Sequence, residues 1–145
     1  MTAMDVVNLA ACAPFTTKDG SEIRELLAHR NSCIRNQSLA EARIPAGGAT
    51  TPHYHPRAEE IYYILAGSGA MRVGNAMRQV GPGDAIAIPP GAPHQLVNTD
   101  AQVLTLLCCC APGYEHDDTV LIEDWTLEMR ESWSAGDPRI FEREH

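Results

Sequence analysis

Turn signals recur about every eight to twelve residues between Lys18 and Pro112, and the short runs between them favour extended backbone. Lys18-Asp19-Gly20-Ser21, Pro45-Ala46-Gly47-Gly48, Gly67-Ser68-Gly69, Gly81-Pro82-Gly83-Asp84 and Pro89-Pro90-Gly91-Ala92-Pro93 punctuate the chain, and Gly74-Asn75 marks a two-residue hairpin. Strands are expected over 22–28, 38–44, 61–65, 70–73, 76–80, 85–88, 94–97 and 102–110, with one more over 119–122. In the second of these, Ala40, Ala42 and Ile44 alternate with Leu39, Glu41 and Arg43. No helical period lies between the strands, which argues against a doubly wound α/β fold. The pattern predicts an all-β sandwich or barrel.

At 145 residues the chain is read as a single domain with enough length for a real core. The barrel core is expected over about 20–112, with Ile61, Leu65, Ile86, Ile88 and Val97 inside it. Residues 1–15 form an arm that packs on the barrel or on a partner subunit, and 123–145 form an extension. There Asp124 is placed to cap a short helix running to Glu131, with Trp125 and Met129 on one face.

Composition narrows the function. A net charge of −8 argues against nucleic acid and anionic membrane surfaces, which need a basic face. No apolar run reaches the roughly 20 residues of a membrane span. The start, Met1-Thr2-Ala3-Met4-Asp5, lacks the basic and apolar regions of a signal peptide. A cytoplasmic protein is expected. The five cysteines do not read as a disulfide framework, because the number is odd and Cys108-Cys109-Cys110 are consecutive. Neighbouring strand residues point to opposite faces, so these are read as reduced, structural side chains.

The chemistry gathers between Gly47 and Asn98. His53 and His55 are two apart, so in an extended segment both imidazoles share a face. Glu60 follows the Pro56-Arg57-Ala58-Glu59 bend, and His94 follows the rigid turn that ends at Pro93. Three neutral imidazoles and a carboxylate suit one divalent transition metal, and on an octahedral ion they leave two positions open. Tyr62, two residues from Glu60, can share that face and offer a phenol, a candidate catalytic group beside Glu60; a packed barrel tyrosine is the other reading. Tyr54 is expected to face away, and Asn98 to hold a turn backbone. Arg43 and Arg72 read as rim or surface charges. His29, His116 and His145 have no ligand spacing.

These residues resemble the two motifs of the cupin family. The first, G-x5-H-x-H-x3/4-E-x6-G, is met by Gly47, His53, His55, Glu60 and Gly67; the second, G-x5-P-x-G-x2-H-x3-N, by Gly83, Pro89, Gly91, His94 and Asn98. Every position is filled, and the short interval from Gly67 to Gly83 is similar to that of small bacterial single-domain cupins. The resemblance implies a double-stranded β-helix (jelly-roll) barrel of two antiparallel sheets with a metal inside, held by His53, His55, Glu60 and His94. It also implies a homodimer and a small-molecule substrate. Fe, Mn, Ni, Co, Cu or Zn all fit such a centre. Dioxygenases, isomerases, lyases and polyketide cyclases share it, so the fold does not choose the reaction. Two other classes stay open: a non-catalytic module for a sugar or organic acid, and an accessory protein to a partner enzyme.

Overall fold

A computed structural model describes residues 4–122 and Trp125. The strands are β1 (Phe15–Thr16), β2 (Glu22–Leu27), β3 (Ser38–Ile44), β4 (His53–Tyr54), β5 (Glu59–Ala66), β6 (Gly69–Val73), β7 (Ala76–Val80), β8 (Ala85–Ile88), β9 (His94–Asn98), β10 (Leu104–Ala111) and β11 (Val120–Leu121). They form two antiparallel sheets, ordered β1-β2-β3-β10-β5-β8 and β11-β4-β9-β6-β7. This is the expected jelly roll. β1 is too short to carry a readable pattern, and no strand was expected there. Among the described residues, helix is confined to single turns at Leu9–Ala11 and His116–Asp118. No helix there is long and apolar enough to cross a membrane. The helix expected from Asp124 to Glu131 lies outside the described residues, apart from Trp125.

The turns behave as their residues dictate. Gly74 adopts φ 56° and joins β6 to β7, where Val73 faces Ala76. Gly67 adopts φ 82°, and a Cβ there would meet the Val103 carbonyl oxygen at 2.8 Å, so only glycine fits.

The core lies between the sheets and includes Ala42, Ile44, Tyr62, Ile64, Met71, Ile88, Leu96, Leu104 and Leu106. Burying each of the large aliphatic side chains contributes about 1.5–3 kcal/mol relative to exposure. Three expected core residues are not in it: Ile61, Leu65 and Val97. Ile61 and Leu65 are 47% and 43% exposed on the outer face of β5, while Glu60, Tyr62 and Ile64 point inward. Successive strand residues alternate faces, so once Glu60 points inward, Ile61 and Leu65 must point out. Likewise Leu96, fully buried, takes the core place expected of Val97, which is half-buried. Ile88 is buried and Ile86 partly so, as expected.

Candidate metal centre

β4 and β9 lie side by side, and His53 is the direct cross-strand partner of His94, with ring centroids 4.2 Å apart. His55 follows β4 on the same face. It is tied to the second motif by the Gly91 N–H, which donates to its carbonyl at 2.7 Å. Glu60 reaches in from the opposite sheet, where β5 lies between β10 and β8. The four predicted residues are therefore brought together from both sheets, and all four are buried.

Each imidazole is oriented through its Nδ1. The acceptors are the backbone carbonyls of Thr51 for His53 (2.7 Å), Asp118 for His55 (3.0 Å) and Ala92 for His94 (2.9 Å). A carbonyl only accepts, so each Nδ1 carries the proton and the neutral ring presents its Nε2 lone pair inward. The ligand atoms of the three histidines lie within 4.8 Å of one another, close enough to hold one metal ion.

Glu60 Oε1 lies 3.3 Å from His55 Nε2 and 3.6 Å from His94 Nε2, without hydrogen-bond geometry to either. Glu60 Oε1 and His94 Nε2 are buried polar atoms with no hydrogen-bond partner among the described residues. Buried polar atoms are rarely left so, because each costs about 1–3 kcal/mol. A cation among them satisfies both, so the donor set fits a metal.

Electrostatics agree. Burial alone pushes the Glu60 carboxyl up, but the facing His55 and His94 rings outweigh it and hold it well below the usual carboxylate range. Burial pulls His55 down, and the Glu60 carboxylate more than compensates, so His55 is raised. His53 is lowered to about 4, first by burial and then by His94. In the metal-free centre an ionised carboxylate thus lies opposite an imidazole whose pKa it raises, an arrangement in which a divalent cation could replace the proton.

Residues 40–110 match the family model for the cupin domain. An uncharacterized protein of Methanocaldococcus jannaschii is 48% identical over 110 residues, covering 76% of this chain and 88% of that relative. The chain belongs to the cupin family. Among solved structures, this cupin is similar to the polyketide cyclase RemF from Streptomyces resistomycificus, with TM-score 0.69, 24% identity, and 89% of this chain and 92% of that one covered. It is also similar to a predicted oxalate decarboxylase from Thermotoga maritima, with TM-score 0.67, 24% identity, and 74% and 99% covered. At these identities the likeness is one of fold.

The cupin site has members that no sequence spacing announced. Asp19, read only as a turn residue, places Oδ2 3.3 Å from His53 Nε2. Cys110, read as structural, donates its thiol to Glu60 Oε2 at 3.2 Å, and Cys108 also lines the chamber. Asp118 accepts the Arg57 and Ala58 N–H groups at 3.0 Å each, and so fixes the bend between His55 and Glu60. Tyr62 faces the chamber, its phenol raised well above 10, first by burial and then by Glu60. The Asn98 amide donates to the Ile44 and Gln102 carbonyls at 2.9 Å each and holds backbone. Arg43 pairs with Glu41 at 2.6 Å, and Arg72 stacks on Trp125 at 3.9 Å.

The chamber itself is small, about 50 Å³. Its floor is His53, His55 and Glu60, with His94 fully buried behind them. Its walls include Ile23, Ala40, Ala42, Ile44, Tyr62 and Leu106. A separate, more open cleft of about 350 Å³ between β7 and β8 is lined, among the described residues, by no histidine, cysteine or glutamate.

Proposed function

We propose that this cupin is a metal-dependent enzyme acting on a small organic substrate. One divalent transition metal per chain is held by His53, His55, His94 and Glu60. The observation that carries the reading is the set of three inward Nε2 atoms, each fixed through its Nδ1, beside a buried carboxylate oxygen that has no hydrogen-bond partner among the described residues. When bound, the metal supplies Lewis-acid polarisation of a substrate oxygen or, with a redox-active ion, a route to dioxygen chemistry.

The protein's own groups select the substrate. A water needs roughly 10–15 Å³ of such space, so the chamber takes a few waters or a molecule of few heavy atoms. Apolar walls exclude solvent and strengthen every polar contact inside. Among the described residues no lysine or arginine lines the chamber, so a substrate carboxylate has no cationic partner there except the metal. Tyr62 stays protonated and acts as a neutral hydrogen-bond donor to a substrate oxygen. That two structural neighbours carry enzyme names, a polyketide cyclase and a predicted oxalate decarboxylase, supports catalysis over simple binding.

The test is elemental analysis of natively purified protein, followed by separate loading with Fe, Mn, Co, Ni and Zn. Each form is then assayed for conversion of small oxygenated molecules by NMR, with dioxygen uptake monitored. One equivalent of metal and turnover lost in His94→Ala is the expected result. Saturable ligand binding without turnover in every metal form would establish a binding module instead. No uptake of any metal would overturn the metal assignment.

A further inference from the structure

We infer that Asp19 is an additional carboxylate ligand of the metal, supplied by the turn that leads into β2. The inference rests on the proposed metal centre and extends its donor set beyond the residues of the two motifs.

Asp19 is about nine-tenths buried. Its two oxygens have different surroundings. Oδ1 is saturated: it accepts from Thr17 Oγ1 at 2.7 Å, the Ser21 N–H at 2.9 Å and Ser21 Oγ at 2.6 Å. Oδ2 makes no hydrogen bond among the described residues and faces His53 Nε2 at 3.3 Å. That nitrogen is the metal-facing one, because Nδ1 is engaged by Thr51. The separation matches that of Glu60 Oε1 from His55 Nε2, also 3.3 Å. The two carboxylates thus flank the histidine cluster, Asp19 at His53 and Glu60 at His55 and His94.

The turn is placed, not loose. The Asp19 carbonyl accepts from the Thr51 N–H at 2.7 Å, two residues before His53, and the Lys18 ammonium donates to the Thr119 carbonyl at 2.9 Å. A carboxylate so held, with one oxygen free of hydrogen bonds among the described residues and aimed at a metal-facing nitrogen, is placed to take a positive partner. Three neutral imidazoles and one carboxylate leave a divalent ion with net positive charge in an apolar chamber. A second carboxylate makes the centre neutral. It also adds a hard oxygen donor, which favours Mn²⁺ or Fe²⁺ relative to softer ions.

Asp19→Asn isolates the effect. The Ser21 N–H can only donate, so the amide oxygen stays in the Oδ1 position, and the NH₂ that replaces Oδ2 cannot ligate. Lys18→Ala is the control: it frees the same turn from Thr119 and keeps the carboxylate. Mn²⁺ affinity is measured by titration, and metal-bound waters are counted from the broadening of the Mn²⁺ EPR signal in ¹⁷O-enriched water. Asp19→Asn is expected to bind Mn²⁺ at least about tenfold more weakly and to show an additional exchangeable water. Lys18→Ala should keep the wild-type water count. Equal affinity and water count in wild type and Asp19→Asn, or the same gain of water in Lys18→Ala, would overturn the assignment while leaving the histidine centre intact. A wild-type protein that takes up no Mn²⁺ or other metal would overturn both.

Discussion

The thiol of Cys110 donates to Glu60 Oε2 at 3.2 Å, at the point where β10 and β5 place these two residues directly opposite each other. One carboxylate oxygen is thereby held by the neighbouring strand, and the other faces His55 and His94. Burial pushes the Cys110 thiol strongly up, so it remains a donor. Cys110→Ala releases the carboxylate and is expected to weaken metal binding by about tenfold, the low end of effects seen when a partner of a ligand is removed. Cys110→Ser retains a donor and should stay near wild type. Calorimetric titration decides; equal affinity in all three proteins would mean that the thiol only fills space.

Glu60→Gln and His94→Ala probe the ligands themselves. The amide keeps size and a coordinating oxygen but loses the charge, so metal should bind more weakly without being lost. His94→Ala removes a ligand and leaves a gap in the shell, and its loss should exceed the roughly 100-fold upper range of outer-shell changes. Far-UV circular dichroism should be unchanged in both, because the core lies in Ile64, Leu96, Leu104, Leu106 and their neighbours. Full metal content and unchanged affinity in both variants would refute the ligand set.

Acid should destabilise the metal-free protein through His53. Its folded value is about 4 against an ordinary 6.5, so between these values the unfolded chain binds a proton that the folded chain does not. Stability therefore falls as pH drops from about 6.5 to about 4. Glu60, depressed from 4.5, adds a loss at lower pH still. His55 has the opposite sign: its contribution is full below 6.5 and fades as pH rises through its raised value. Melting temperature measured across this range should fall more steeply in wild type than in His53→Gln. Parallel curves would show that His53 does not titrate this way.

The outer face of β5 carries Ile61, Tyr63 and Leu65, each more than two-fifths exposed, beside exposed Ala85 and Ala87 of β8. Such a contiguous apolar face marks an interaction surface, and a homodimer through this sheet is expected. Light scattering at micromolar concentration should give twice the chain mass, and Tyr63→Glu should give a monomer. A monomeric wild type would refute the expectation.

The barrel and the motif residues of the centre were legible in the sequence for local reasons. The spacing of His53 and His55 sets a shared face through the strand period of two, the same period carries Tyr62 alongside Glu60, and the glycines and prolines mark where strands end. What the period leaves undetermined is which face of a strand is inside. Ile61 and Leu65 are as apolar as Ile64, so hydrophobicity alone does not tell the two faces of β5 apart; the inward Glu60 does, and the period of two then turns Ile61 and Leu65 outward. Asp19 and Cys110 were invisible as site residues for a related reason. They lie 34 residues before His53 and 50 after Glu60 in the chain, so no local pattern links them to the histidines. Their contacts exist because the first turn docks on the segment before β4 and because β10 pairs with β5 in one register. Local sequence determines turns, periods and donor types; long-range strand register, set by closing two sheets over one core, decides which of those donors meet.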